Sequence, residues 1–324
     1  MALWTDIDPA ELTAFSREAF EALDTGFLAQ VFPNIYQDQV KFTWNVNEVL
    51  SDIAQYGEFD TESTIGREGG AEEKTMRLLP VSRKLRLSEY EQVTDLDRVR
   101  ALAEEKADKV VRFVINRLNL ARGEALTNGA LALNENKIVQ NVNFGRAAGQ
   151  TLVAPGTLWT AAGADPVADI RAWVDLAAEA SGVAPDLMGM STRVYSAFAS
   201  ALAESGYVTS GTGVVSRSAV SEIMGSYGLP QPVVDDSRVG GQRLIPDHVL
   251  TLAASGGTSG GTVHAPTVES RDPRYNLGGQ ETGIVAGIYS EDDPPVKWVM
   301  GKAVALPVLA NPDTTFSATP IAAA

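Results

Sequence analysis

Gly257-Thr258-Ser259-Gly260-Gly261 satisfies the Gly-x-Ser-x-Gly spacing of a serine nucleophile, follows a strand-like run at His248 to Leu252, and has His264 close by as a base. That set would support acyl transfer through Ser259. A nucleophile elbow needs a helix directly after its serine to hold the strained turn, and here the chain continues as Thr262-Val263-His264-Ala265-Pro266, an extended pattern. The expected structure is therefore a Gly/Ser/Thr-rich loop without catalysis, and a hydrolase using Ser259 stands as the enzyme-class rival. Gly211-Thr212-Gly213-Val214-Val215-Ser216 begins like a dinucleotide fingerprint, but the third glycine is replaced and the helix it should open starts only at Ser218. His248 and His264 are the only histidines and have no partner at metal-ligand spacing. Asp235-Asp236 and Glu291-Asp292-Asp293 are carboxylate clusters of the type that binds divalent cations, yet Glu291-Asp292-Asp293-Pro294-Pro295 has the composition of an exposed turn. No catalytic residue, metal or cofactor is expected.

A different chemistry lies in the charges. From Lys74 to Leu87 the chain carries Lys74, Arg77, Arg83, Lys84 and Arg86 without one acid, whereas Glu48 to Glu73 carries eight acids against Arg67. Such cations pair either with the acidic partner strand of their own hairpin or with acids of another copy of the chain, and the sequence leaves both open. Glu104, Glu105 and Asp108 are the expected recipients on a neighbour. Nucleic-acid binding is disfavoured, because the run lacks interleaved aromatics and the whole chain has a net charge of -15.

These charges are positioned by one long helix. Leu96, Val99, Ala103, Ala107, Val110, Val114, Leu118, Ala121 and Ala125 recur at steps of three and four, the stripe of an amphipathic helix. Thr94 or Asp95 is the expected N-cap, Asn128-Gly129 the stop, and Gly123 the expected kink. From Leu96 to Asn128 such a helix would span roughly 50 Å, long enough to serve as a spine.

Around the spine, Asp8 and Pro9 open an acidic helix with Leu12, Phe15, Ala19 and Leu23 on one face. Phe27 to Pro33 and Val40 to Trp44 read as extended, so the first 45 residues resemble an arm more than a core. Residues 46 to 87 form an expected two-stranded excursion about Ile65-Gly66-Arg67-Glu68-Gly69-Gly70. Ala130 to Phe144 reads as a hairpin turning at Asn134-Glu135-Asn136. Helices opening at Asp165-Pro166, Ser191 and Ser218, with strands at Asp186 to Met190, Pro232 to Asp235 and His248 to Leu252, make an alternating α/β unit. Ile284 to Tyr289 and Val296 to Leu309 are the strongest strands of a β-rich end, where Pro307 marks an edge or strand end.

Composition agrees with a globular protein, at 44% apolar and 21% charged residues. The absence of cysteine excludes disulfides, cysteine nucleophiles and thiolate metal sites. The N-terminus lacks a signal-peptide pattern and no long apolar window occurs, so the expectation is a soluble protein made in the cytoplasm.

The order of these parts resembles the major capsid proteins of tailed bacteriophages, the Hong Kong 97 capsid fold, and in particular the lambda-type coat protein family. Lys74-Thr75-Met76-Arg77-Leu78-Leu79-Pro80 is similar to the family's excursion strand, and Leu244-Ile245-Pro246-Asp247 to its Leu-Pro-Asp strand. The run from Met300 through Leu306-Pro307-Val308-Leu309-Ala310-Asn311-Pro312-Asp313 is similar to its C-terminal signature. The resemblance implies an α+β fold with an N-terminal arm (1–45), an E-loop (46–87), a P domain (88–155, spine helix about 96–128), an inserted α/β A domain (156–255) and a β-rich return to the P domain (256–324). It also implies a non-enzymatic homo-oligomer of hexamers and pentamers closing into an icosahedral shell around double-stranded DNA. Assembly in the host bacterial cytoplasm, with a portal, possible decoration protein and no membrane, belongs to the same expectation. No long coiled-coil segment precedes the arm in this sequence, so a separate scaffolding protein is expected unless such a segment has been removed. An encapsulin-type nanocompartment shares the fold class and is the alternative.

Overall fold

Asp8 and Pro9 start the first helix as their types predict: in the computed structural model the Asp8 carboxylate accepts the Ala10 N–H at 2.9 Å, and α1 runs Pro9–Leu23. The structure describes residues 8–46, 72–94, 99–207, 215–275, 277–278, 282–292 and 295–323. The buried face of α1 is Leu12, Thr13, Ser16 and Phe20, while Phe15 stays 39% exposed. The face is rotated from the expected Leu12/Phe15 stripe because the Thr13 hydroxyl donates to the Ala286 carbonyl and accepts the Ala286 N–H, turning a polar residue inward.

Phe27 to Pro33, expected to be extended, begins with a short helix, α2 (Phe27–Val31). Gly26 launches it at φ 104°, and Phe27, Leu28, Val31 and Phe32 bury one helical face in the main core. Trp44 is buried in that core too, whereas Ile35, Tyr36 and Val40 between them stay exposed. Next come β1 (Asn34–Tyr36), β2 (Lys41–Val46), β3 (Glu72–Arg77) and β4 (Pro80–Leu87). β2 and β3 pair antiparallel, but β4 leaves the excursion and pairs along a later strand. The turn-rich centre at 65–70 lies outside the described residues.

A short helix, α3 (Glu89–Thr94), precedes the spine α4 (Val99–Asn128). Thr94 thus ends one helix, and the cap position Asp95 and stripe residue Leu96 lie outside the described residues. Every described stripe position from Ala103 to Ala125 is buried. At 30 residues, α4 is about 45 Å long, and Gly129 stops it at φ 63°. The hairpin β5 (Ala130–Glu135) and β6 (Ile138–Asn143) turns at Asn136-Lys137, later than expected, because those two residues take the positive φ values, 49° and 68°, that a two-residue turn requires.

Next follow α5 (Pro166–Ser181), β7 (Leu187–Met190), α6 (Thr192–Glu204), α7 (Arg217–Ser226), β8 (Pro232–Val234), β9 (Arg238–Val239), β10 (Gln242–Arg243) and β11 (Leu250–Ala253). The Asp165 and Ser191 side chains cap α5 and α6 by accepting the Ala168 and Val194 N–H groups. α7 is capped by Ser216 rather than opened at Ser218, since the Ser216 hydroxyl accepts the Ala219 N–H. The last strands are β12 (Gly261–Ala265), β13 (Val285–Asp292), β14 (Pro295–Val308) and β15 (Phe316–Ala318).

Two sheets organise the chain. The larger joins β1, β12, β14 and β13, with β4 also on β14; the smaller runs β15-β11-β7-β8. α4 lies on the larger sheet, where Ala103, Ala107, Val111 and Val114 meet Val299 and Ala303, and α1 seals the same seam through Leu12 and Phe20. A second core packs α5, α6 and α7 on the smaller sheet through Ile170, Trp173, Phe198, Met224 and Phe316. Pro307 sits one residue before the end of β14, where a missing N–H costs least.

Candidate assembly surface

Two glycines of the larger sheet identify its faces. A Cβ on Gly301 would lie 2.6 Å from Val110 Cγ1 of α4, whereas one on Gly287 would lie 2.3 Å from the Tyr275 hydroxyl. Directly paired residues on neighbouring strands point the same way. Arg83 pairs with Gly301 and therefore faces the spine side, whereas Lys84 pairs with Met300, itself opposite Gly287, and faces away from the spine. Arg83 accordingly lines a groove of about 540 Å³ with Phe113, Leu118 and Ile138. Strand alternation thus divides one cationic run between two surfaces.

On the face opposite the spine, Tyr289, Trp298 and Arg86 form one row across three strands. The Lys84 ammonium lies 4.2 Å from the Trp298 ring centroid and 5.6 Å from that of Tyr289, within cation–π range. Arg86 is exposed, and its carbonyl accepts from Lys106 of α4 at 2.8 Å. Arg77 is exposed on β3, and Lys74 donates to the Asn143 carbonyl at 3.3 Å. Arg77, Arg83, Lys84 and Arg86 make no ion pair among the described residues. The partner strand of β3 is Lys41-Phe42-Thr43-Trp44-Asn45-Val46, which carries no acid.

The expected acidic recipients already have partners on their own helix. Glu104 pairs with Arg100 at 3.1 Å, Glu105 with Lys109 at 2.5 Å and Asp108 with Arg112 at 2.9 Å, all four residues apart. Exposed pairs of this kind contribute only about 0.3–0.5 kcal/mol, so a stronger outside partner can displace them.

Ser259 is fully buried; its hydroxyl donates to the Ala254 carbonyl at 3.0 Å, accepts the Ala254 N–H at 3.0 Å and contacts the Thr314 hydroxyl at 2.8 Å. It closes a loop and is not presented to a substrate. His264 bonds Asn34 through Nε2 at 2.9 Å instead, with burial, reinforced by Arg122, pushing its pKa down to about 4. The acid clusters are likewise engaged: Asp235 accepts the Ser237 N–H at 2.9 Å, Asp236 holds Thr192 and Arg243, and Glu291 accepts the Trp298 indole N–H at 2.8 Å. Asp293, Pro294 and Gly211 to Val214 lie outside the described residues. No three-residue metal-binding group occurs among the described residues.

Two buried arginines and the rings beside Lys84 were not identified from sequence. Arg122 sits inside the apolar stripe, next to Ala121 and between Leu118 and Ala125, a position that signals a buried partner. Arg146 gave no such signal; it donates to the Leu126 and Thr127 carbonyls at 2.6 and 2.7 Å and to the Ser317 hydroxyl at 3.0 Å, fastening the end of α4 to β15. Burial drives the Arg146 pKa down to about 10.

The family model described as phage major capsid protein E matches residues 53–320. No curated relative matches the sequence. Among solved structures, the chain is similar to a protein of an E. coli CFT073 prophage whose description is capsid protein, at 15% identity and TM-score 0.64, covering 98% of this chain and 99% of that one. A phage-related protein of Bordetella bronchiseptica RB50 aligns with 13% identity and TM-score 0.64, over 99% and 100% of the two chains. The SrpI encapsulin of Synechococcus elongatus PCC 7942 aligns at 12% identity and TM-score 0.51, over 93% and 89%. Among the described residues no helix is long and apolar enough to cross a membrane.

Proposed function

The chain belongs to the phage major capsid protein E family, and from that premise we propose that its copies close as hexamers and pentamers into an icosahedral shell around double-stranded DNA. The protein is a structural component of the virion capsid, forming the head shell, and not an enzyme. The family match over most of the chain is the observation that carries the reading. The fold that the encapsulin shares is compatible with a nanocompartment, but the family match favours the phage head.

With a net charge of -15, such a shell would contain DNA without holding it by charge, so filling would depend on an external motor. The proposed division is an arm at 1–45, an E-loop at 46–87, a P domain at 88–155 and 256–324 around the spine, and an A domain at 156–255. A separate scaffolding protein and a portal would complete the head, with a decoration protein as an optional addition, assembled in the host bacterial cytoplasm. Lys74, Arg77, Arg83, Lys84 and Arg86 would meet acids of a neighbouring copy, with Glu104, Glu105 and Asp108 exchanging their own-helix partners for them. Exposed pairs contribute about 0–1 kcal/mol each, but repetition over a closed shell sets register and partner choice.

The test is negative-stain microscopy of the protein expressed with its neighbouring genes. Closed icosahedral particles are expected; small discrete oligomers under the same conditions would overturn the reading, and copurification of one specific enzyme cargo would replace it with the nanocompartment.

A further inference from the structure

Among the described residues, the sheet face opposite the spine is covered over part of its area only. The segment Glu269 to Tyr275 lies on it, with Tyr275 against Gly287 and Glu269 paired to Lys302 at 2.7 Å. The next row, Tyr289-Trp298-Arg86, lies beyond that cover, and Tyr289 is 40% exposed. Lys84 stands at the β4 end of the Gly287 row, with its ammonium over both rings of the next row.

We infer that Lys84, Arg86, Tyr289 and Trp298 form a docking site for a carboxylate-bearing surface of a second copy of this chain. The inference rests on the shell reading and narrows its contact to one face. Tryptophan, tyrosine and arginine are the residue types that dominate interface energetics, and here they are adjacent on a rigid three-strand surface. The Lys84 ammonium lies against both rings, and that ammonium and the Arg86 guanidinium have no ion pair with a carboxylate among the described residues. Glu291, on the same face, is engaged by the Trp298 indole N–H at 2.8 Å, and Glu91, beside Arg86, is paired with Lys106 at 2.9 Å. Charge complementarity selects the occupant: the chain has 41 acids against 26 basic residues, so another copy offers more carboxylates than cations to this face. A nucleic acid would offer phosphate to the same cations, but an acidic shell repels it on approach.

Carbodiimide treatment of intact particles tests this, because it joins Lys84 Nζ to a touching carboxylate as an amide. Covalent dimers are expected on a denaturing gel, with mass spectrometry locating the link between Lys84 and an Asp or Glu of the same sequence, and K84Q should remove that band. In parallel, W298A and K84Q/R86Q should lower particle yield at least several-fold, while the unassembled subunits keep the wild-type far-ultraviolet circular dichroism. If wild-type particles form but Lys84 links only within its own chain, to another protein or not at all, the docking site is overturned and the shell reading survives. If the wild type forms no particles, the shell reading fails first. Protection of Lys84 that nuclease treatment abolishes would assign the face to nucleic acid and likewise overturn the proposal.

Discussion

Arg122 of α4 and Asp24, just after α1, form an ion pair whose side chains are 0% and 2% exposed. Removing two charges from water costs several kcal/mol per ion, which their attraction offsets only when the remaining polar atoms are satisfied. Here they are: Arg122 also donates to Thr262 at 2.8 Å, Asn119 at 2.9 Å and Asn34 at 3.2 Å, and Asp24 accepts from Asn34 at 3.0 Å. The cluster ties α1, α4, β1 and β12 together at the centre of the body.

Breaking one side of this pair leaves the other charge buried and unpaired. R122M is therefore expected to destabilise the unassembled subunit by about 3–5 kcal/mol, and R122M/D24L by less than the sum of the single changes. Urea denaturation measures both. An unchanged midpoint for R122M would show that the pair contributes nothing.

Acid should loosen the same junction. His264 takes its proton near pH 6.5 when unfolded but near pH 4 in the fold, so between those values the unfolded chain binds more protons and stability falls as pH falls. The gap corresponds to roughly 3 kcal/mol, lost progressively from about pH 6.5 down to about pH 4. At Asp24, burial raises the pKa, but the hydrogen bond and charge of Arg122 outweigh it and hold the group below its usual value. Its contribution is present above the ordinary Asp range and lost only at still lower pH. Urea midpoints at pH 4.5, 5.5 and 6.5 should fall steadily for the wild type, and H264F should flatten the slope in that window. An equal slope in both proteins would rule out His264 as its source.

What the sequence makes legible follows physical range. The spine stripe from Ala103 to Ala125, the Asp8, Asp165 and Ser191 caps and the Gly129 stop are local signals, and all appear in the structure. The buried face of α1 and the helix at Phe27–Val31 depend on contacts with distant strands, such as Thr13 with Ala286, which no local pattern encodes. The cationic run was visible as charge, but its division between two faces follows from the pairing of β4 with β14. That pairing also sets Lys84 against Trp298, more than two hundred positions later in the sequence.

Gly123 makes the same distinction testable. Helix propensity marks it as a weak point, since alanine is favoured over glycine in a helix interior by about 1 kcal/mol. In the fold, a Cβ there would lie 2.0 Å from the Leu244 carbonyl oxygen, a backbone atom, so the glycine lets the chain at Leu244-Ile245 pass directly over α4. G123A must push that backbone off the helix and open the core around Leu244 and Ile245, both buried. We expect a net loss of about 1–3 kcal/mol despite the better propensity. Gly225 in α7 supplies the control, because a Cβ there meets only the Gln231 side-chain amide at 3.9 Å. G225A should therefore gain about 0.4–1 kcal/mol. Thermal or urea melts of the two variants should move in opposite directions; stabilisation by both would show that the Leu244 approach does not constrain the spine.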